Sequence, residues 1–288
     1  MAQFGGVPDS GILVGKYLDK VRVYVESSED RDVLEKWFPD DLGKIIFLSA
    51  DHGNAGGGGC QAVCKEISNS KQADIQAAGI VDRDKLFTDK NWDLLWEIDD
   101  QIFRVAQPYG AEIHVLLRWE LENYLLEPAA LQRVLSDAKH GKPSPILSQI
   151  ENDLLQHCDT LVPVIAASAL LHLQGHESLG DGYGSKWTRL EIEKDLTTQC
   201  LSKRMASLPD WQNALQLNQE HVSNFDVPTA STHERLSAFL RIVDGKRLIE
   251  RIKAQHGVQI ELRGFLSRSI KDLNMVPLEL ADFVATLV

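Results

Sequence analysis

Positive charge is scarce in this sequence. Thirty lysines and arginines stand against 42 acids, a formal net charge of −12 at pH 7. That balance disfavours non-specific attraction to a phosphate backbone. It does not exclude phosphate chemistry, because clustered active-site carboxylates count as negative until a cation arrives. A local basic patch or a partner can also line a groove. An acidic surface further suits docking to a basic protein. Long apolar runs are missing too. The longest, residues 161–171, falls short of the roughly 18 residues that cross a bilayer and reads as a buried helix. Residues 1–15 are glycine-rich, with no basic start and no clear cleavage signal. No membrane association and a cytoplasmic location are the default expectation.

Cysteine is sparse: Cys60, Cys64, Cys158 and Cys200. Cys60 and Cys64 have a spacing seen in some metal sites, but no second pair and no histidine at zinc-finger distance complete one. Reduced, partly buried thiols are expected. Nucleotide-binding loops are absent. Gly56 to Gly59 are not followed by Lys-Ser/Thr, and there is no dinucleotide fingerprint. These glycines read as a loop beside a site, bordered by Asp51 and His52.

What is present is a strand–helix rhythm. Residues 21–26 alternate, are β-branched and end on Glu26. Ser28 predicts the cap of a helix through Phe38. Strands follow at 44–49, 77–81 and 112–117, with helices between them, including one from about Cys60 to Ser70 and one carrying Trp92, Leu95, Trp96 and Ile102. This pattern predicts an α/β fold with a mostly parallel sheet flanked by helices. A sheet-bearing domain over residues 17–127 is expected. A largely α-helical region over 128–288 would follow, with helices near 128–137, 144–157, 161–173, 187–206, 231–241, 245–255 and 278–287. Residues 258–262 read as a strand or a helix cap.

Open α/β sheets bind ligands at the C-terminal ends of their strands. Glu26 closes one strand there, and Asp82 and Asp84 close another. In an extended chain, residues i and i+2 point the same way, so both aspartates aim at one point while Arg83 faces away. Such a set suits Mg²⁺ or Mn²⁺, which prefer hard oxygen ligands. The chemistry it permits is phosphoryl transfer.

The stretches Val23-Tyr24-Val25-Glu26, with Asp30 behind it, and Gly79-Ile80-Val81-Asp82-Arg83-Asp84 resemble the TOPRIM fold of topoisomerases, primases and OLD-type nucleases. Residues 117–126, with Glu120, Glu122, Asn123 and Tyr124, resemble a segment of an OLD-like TOPRIM nuclease family. The resemblance covers residues 21–127. It implies a TOPRIM-like fold, with residues 17–127 as the catalytic domain, and a metal-dependent endonuclease. Glu26 would be metal ligand and general base, and Asp82 and Asp84 metal ligands. Glu122 would be a fourth catalytic acid, with Glu120 and Asp30 as further candidates. Asn123 and Tyr124 would orient their helix. The family also uses a lysine near the metals. None lies in the matching segment, and Arg118, Lys85 or the distant Lys246 would stand in. The resemblance further implies an ABC-type ATPase partner, a role as toxic effector in bacterial antiviral defence, an RNA target, tRNA above DNA, and a homodimer.

Phosphate contacts are expected at Arg83, Lys85, Arg118, Lys186 and Arg189. Lys186-Trp187-Thr188-Arg189 mixes positive and aromatic character, as surfaces for single-stranded nucleic acid do. Arg263, Arg268 and Lys271 form another basic patch. Two rival readings are a primase- or topoisomerase-like protein, for which no placed tyrosine nucleophile is evident, and a regulatory module whose acids only bind.

Overall fold

The computed structural model describes residues 20–51, 59–138, 143–180 and 182–288. His52, the glycines at 56–58, Asp181 and residues 1–19 lie outside the described residues. The chain divides into two compact units that interleave along the sequence. One comprises Met1–Asp82, Gln107–Leu116 and Lys271–Val288, the other Arg83–Ala106 and Leu117–Ile270.

The first unit is built on β1 (Val21–Val25), α1 (Ser28–Trp37), β2 (Ile45–Ser49), α2 (Cys60–Gln72) and β3 (Ala77–Val81). After three short helices of the second unit, α3 (Asp84–Thr88), α4 (Trp92–Leu95) and α5 (Asp100–Ala106), comes β4 (Ile113–Val115). The four strands are all parallel, in the order β2-β1-β3-β4. Every residue of β1 and β3 is buried, as befits central strands covered on both faces. Helix α1 starts one residue earlier than Ser28 predicts. Ser27 is the cap, and the Asp30 carboxylate accepts from the Ser27 backbone N–H in a reciprocal capping box. Its Val33, Leu34 and Trp37 face the core. Helix α2 packs on β1 and β3. Close approach is possible because Gly79 has no side chain. A Cβ there would lie 2.6 Å from Val63 Cγ1 and 2.8 Å from Ile67 Cδ1.

The second unit is helical. It contains α6 (Leu121–Leu125), α7 (Pro128–Ala138) and the 27-residue α8 (Leu147–Leu173). Next come α9 (Arg189–Asp195), a π-helical turn (Leu196–Cys200), α10 (Leu201–Arg204), α11 (Trp211–Ser223), α12 (Thr232–Phe239) and α13 (Gly245–His256). α14 (Arg263–Asp272) leads on to α15 (Leu278–Ala285), whose Glu279 pairs with His114 of β4 at 2.9 Å within the first unit. Residues 258–262 form no strand.

Helices α7 and α9 to α13 all pack on α8. By length and composition α8 is apolar enough to cross a membrane, and 72% of its most apolar window is buried inside the protein. The two helices expected at 144–157 and 161–173 are one: Leu147–Leu173 is continuous, with Pro163 inside it. Proline cannot donate to the carbonyl four residues back, that of Asp159. Arg189 takes up that oxygen, donating through Nη1 to Asp159 O at 3.2 Å and to Asp159 Oδ1 at 2.6 Å.

These contacts set two expectations for stability. Gly79→Ala should lose about 1–3 kcal/mol in urea unfolding through overpacking, and Val63→Ala should recover part of that loss when combined with it. Additive losses would show that α2 does not press on Gly79. Arg189→Ala should cost about 1 kcal/mol, whereas the same change in a Pro163→Ala background should cost less, because Asp159 O regains its helical donor.

Candidate metal centre

In a sheet of order β2-β1-β3-β4 the chain runs outward from β1 to β2 and then returns to the other side of β1. The C-terminal crevice between β1 and β3 is therefore the switch point where parallel sheets leave room for a ligand. Glu26 follows β1 and Asp82 follows β3 at that crevice. The Asp82 backbone N–H donates to Glu26 Oε1 at 3.0 Å. Carboxylate oxygens of Glu26, Asp82 and Asp84 lie within 4.8 Å of one another, and all three residues are half-buried. The cluster can chelate a divalent cation: three hard oxygen donors in a recess, mutually repelling without one.

The local geometry differs from an extended run. β3 ends at Val81, Arg83 is helical (φ −65, ψ −27), and Asp84 opens α3. Convergence of the aspartates comes from a turn into a helix. Arg83 does point away, and it is wholly buried. Its guanidinium donates to the carbonyls of Leu117 (3.1 Å), Leu95 (2.8 Å) and Glu97 (2.8 Å) and lies 4.2 Å from the Phe103 ring centroid. A phosphate contact at Arg83 is therefore corrected: it anchors the turn.

Lys85 is also buried and pairs with Asp89. Arg118 donates to Asn123 O at 2.8 Å and stacks on Tyr124. Arg189 is committed to Asp159 and Glu193. These three side chains are committed within the fold, Lys85 and Arg118 to partners four to six residues along the chain and Arg189 to both Glu193 on its own helix and the distant Asp159. Lys186 is exposed. Asp30 serves the α1 cap. Asp51 accepts from the Ser28 backbone N–H at 3.3 Å and from the Ser49 hydroxyl.

Glu120 and Glu122 are buried at the start of α6. Lys246, at the first turn of α13, donates its backbone N–H to Glu120 Oε1 (2.8 Å) and its Nζ to Oε2 (2.9 Å), and lies 3.8 Å from Glu122 Oε1. Arg263 donates to Glu122 Oε1 at 2.6 Å. The two glutamates thus face cations of the chain itself, and the three-acid cluster does not include them. Asn123 fixes this arrangement: its Nδ2 donates to Val243 O at 2.7 Å and its Oδ1 accepts from the Glu120 N–H at 3.2 Å. At Gly245 a Cβ would lie 2.5 Å from Asn123 Oδ1, so only glycine lets α13 approach α6. Asp244, Lys246 and Arg263 lie more than 100 residues from their acids, beyond any local spacing signal.

Burial holds Glu120 well above the usual carboxylate range, with Asp244 and Glu122 adding to the shift and Lys246 opposing it. Burial is also the main cause that raises Asp84, to about 6; Lys246 pulls it back, while Asp244 and Glu122 push it further.

No protein-family model, curated protein or solved structure matches this chain.

A carboxylate whose folded pKa is raised favours folding at pH below its unfolded value and loses that contribution as pH rises through the folded value. For Asp84 the loss in metal-free protein falls between about 3.8 and about 6. A cation must displace that proton, so Mn²⁺ affinity in calorimetry should be roughly tenfold weaker at pH 5 than at pH 7. Asp84→Asn should flatten the step, and Asp82→Ala/Asp84→Ala should abolish the binding heat in a folded protein. Equal Mn²⁺ heats in wild type and the double variant would remove these residues from the centre.

Proposed function

We propose that this chain is a divalent-cation-dependent endonuclease of the OLD-like TOPRIM kind. The observation that carries the proposal is the Glu26–Asp82–Asp84 cluster at the switch point of a parallel sheet. The residues fit Mg²⁺ or Mn²⁺: they are oxygen donors only and half-buried, and burial disfavours the Asp84 charge in the cation's absence. When bound, the cation supplies a Lewis acid for a phosphodiester and lowers the pKa of water. In this reading Glu26 accepts a proton. The Lys246 ammonium, steered by Glu120, supplies the positive charge that the motif segment lacks.

The motifs around Glu26, Asp82 and Glu120–Leu126 resemble those of AriB, the nuclease effector of the PARIS antiphage system. On that resemblance, the substrate is RNA, tRNA above DNA, and the active form is a homodimer acting in the cytoplasm as a toxin. An ABC-type ATPase partner restrains it until infection is sensed.

The experiment is gel-resolved cleavage of a tRNA pool and of plasmid DNA with Mg²⁺ or Mn²⁺, for wild type and Glu26→Ala, each alone and with the partner ATPase. Metal-dependent cutting of tRNA, lost in Glu26→Ala, is expected. Cutting confined to DNA would replace the substrate. Toxicity in cells that survives Glu26→Ala, with no cutting in any mixture, would replace the enzyme with a binding module.

A further inference from the structure

The first unit carries two soft donors, Cys60 and Cys64, on the helix that follows Gly59. Cys60 and Cys64 occupy successive turns at the start of α2 and share one face. Their Sγ atoms are 3.8 Å apart, one thiol donating to the other, and neither is in a disulfide. Cys60 is 4% exposed and Cys64 is half-buried, so solvent reaches the pair from the Cys64 side. The residue before Cys60 is Gly59, at φ +90, where a Cβ would lie 3.8 Å from Glu26 Oε2. The pair therefore begins one residue after a glycine whose absent side chain leaves room beside Glu26.

The sulfur spacing decides what the pair is shaped for. A disulfide needs sulfurs at about 2.0 Å. Two thiolates each about 2.3 Å from one tetrahedral ion sit roughly 3.8 Å apart, the edge of the tetrahedron. The observed separation matches that edge. We propose that Cys60 and Cys64 form a two-thiolate half-site for a thiophilic divalent cation, with Zn²⁺ the fitting ion. Water fills the remaining corners. Binding replaces two S–H bonds with two metal–sulfur bonds and releases two protons to the buffer. The oxygens of the Glu26 cluster suit Mg²⁺ or Mn²⁺ and the sulfurs suit Zn²⁺, so the two sites sort cations by softness. This inference stands independently of the nuclease reading.

The test uses Co²⁺ as a spectroscopic stand-in for Zn²⁺, added to the reduced full-length protein without oxygen and with excess Mg²⁺ present. Thiolate ligation gives a sulfur-to-cobalt charge-transfer band that oxygen ligands do not. The band should appear in wild type, persist in Glu26→Ala and Cys200→Ser, vanish on adding Zn²⁺, and be lost in both Cys60→Ser and Cys64→Ser. Persistence in Glu26→Ala separates this site from the carboxylate cluster. Circular dichroism melts check folding, and Cys64→Ser, at the more open position, carries the test if Cys60→Ser does not fold. Absence of the band in reduced wild type, or its survival in the folded cysteine variants, overturns the proposal.

Discussion

With no surface exposed, the Arg83 guanidinium must find its hydrogen bonds inside the protein, because a buried charge left unsolvated is costly. It finds them on the carbonyls of Leu95, Glu97 and Leu117. That network pins the turn between β3 and α3. Asp82 and Asp84 sit on either side of the pinned residue. Glu26 meets the turn through the Asp82 N–H. Arginine suits this position because its rigid fork reaches several carbonyls at once, which a lysine cannot do.

Glu120 and Glu122 show a second use of the same principle. Buried acids are tolerated when cations are brought to them, and α13 and α14 bring Lys246 and Arg263. The close approach of α13 rests on Gly245 and on Asn123, which spends its amide on the backbone of Val243. In the same first turn of α13, the buried Arg247 gathers the carbonyls of Leu179, Gly180 and Tyr183. The first turn that carries Lys246 is thereby held by Gly245 on one side and Arg247 on the other, which places the ammonium at its glutamates.

The most apolar part of the chain follows a similar logic. Pro163 removes one helical hydrogen bond from α8, yet the helix continues because Arg189 supplies the missing donor. A proline kink or break is the reasonable local expectation. It fails here because a side chain 26 positions away replaces what the backbone lost. The same commitment removes Arg189 from any role at a phosphate.

The order of residues already carried the parallel sheet, the positions of its strands to within a few residues and the three acids at the strand ends. These are readable because β-branched alternation and the strand–turn–acid order are local properties. It also carried the absence of a nucleotide-binding loop of the Gly-x-x-x-x-Gly-Lys-Ser/Thr type. Which charges are spent was settled only on folding. Arg83 and Arg189 carry the same formal charge as Lys186 in the sequence, but burial among distant carbonyls commits Arg83, Asp159 commits Arg189, and Lys186 is left at the surface. Folding likewise brought Lys246 and Arg263 to Glu120 and Glu122. Electrostatic pairing depends on distance through space, and spacing along the chain encodes that distance only within one turn of helix or one stretch of strand.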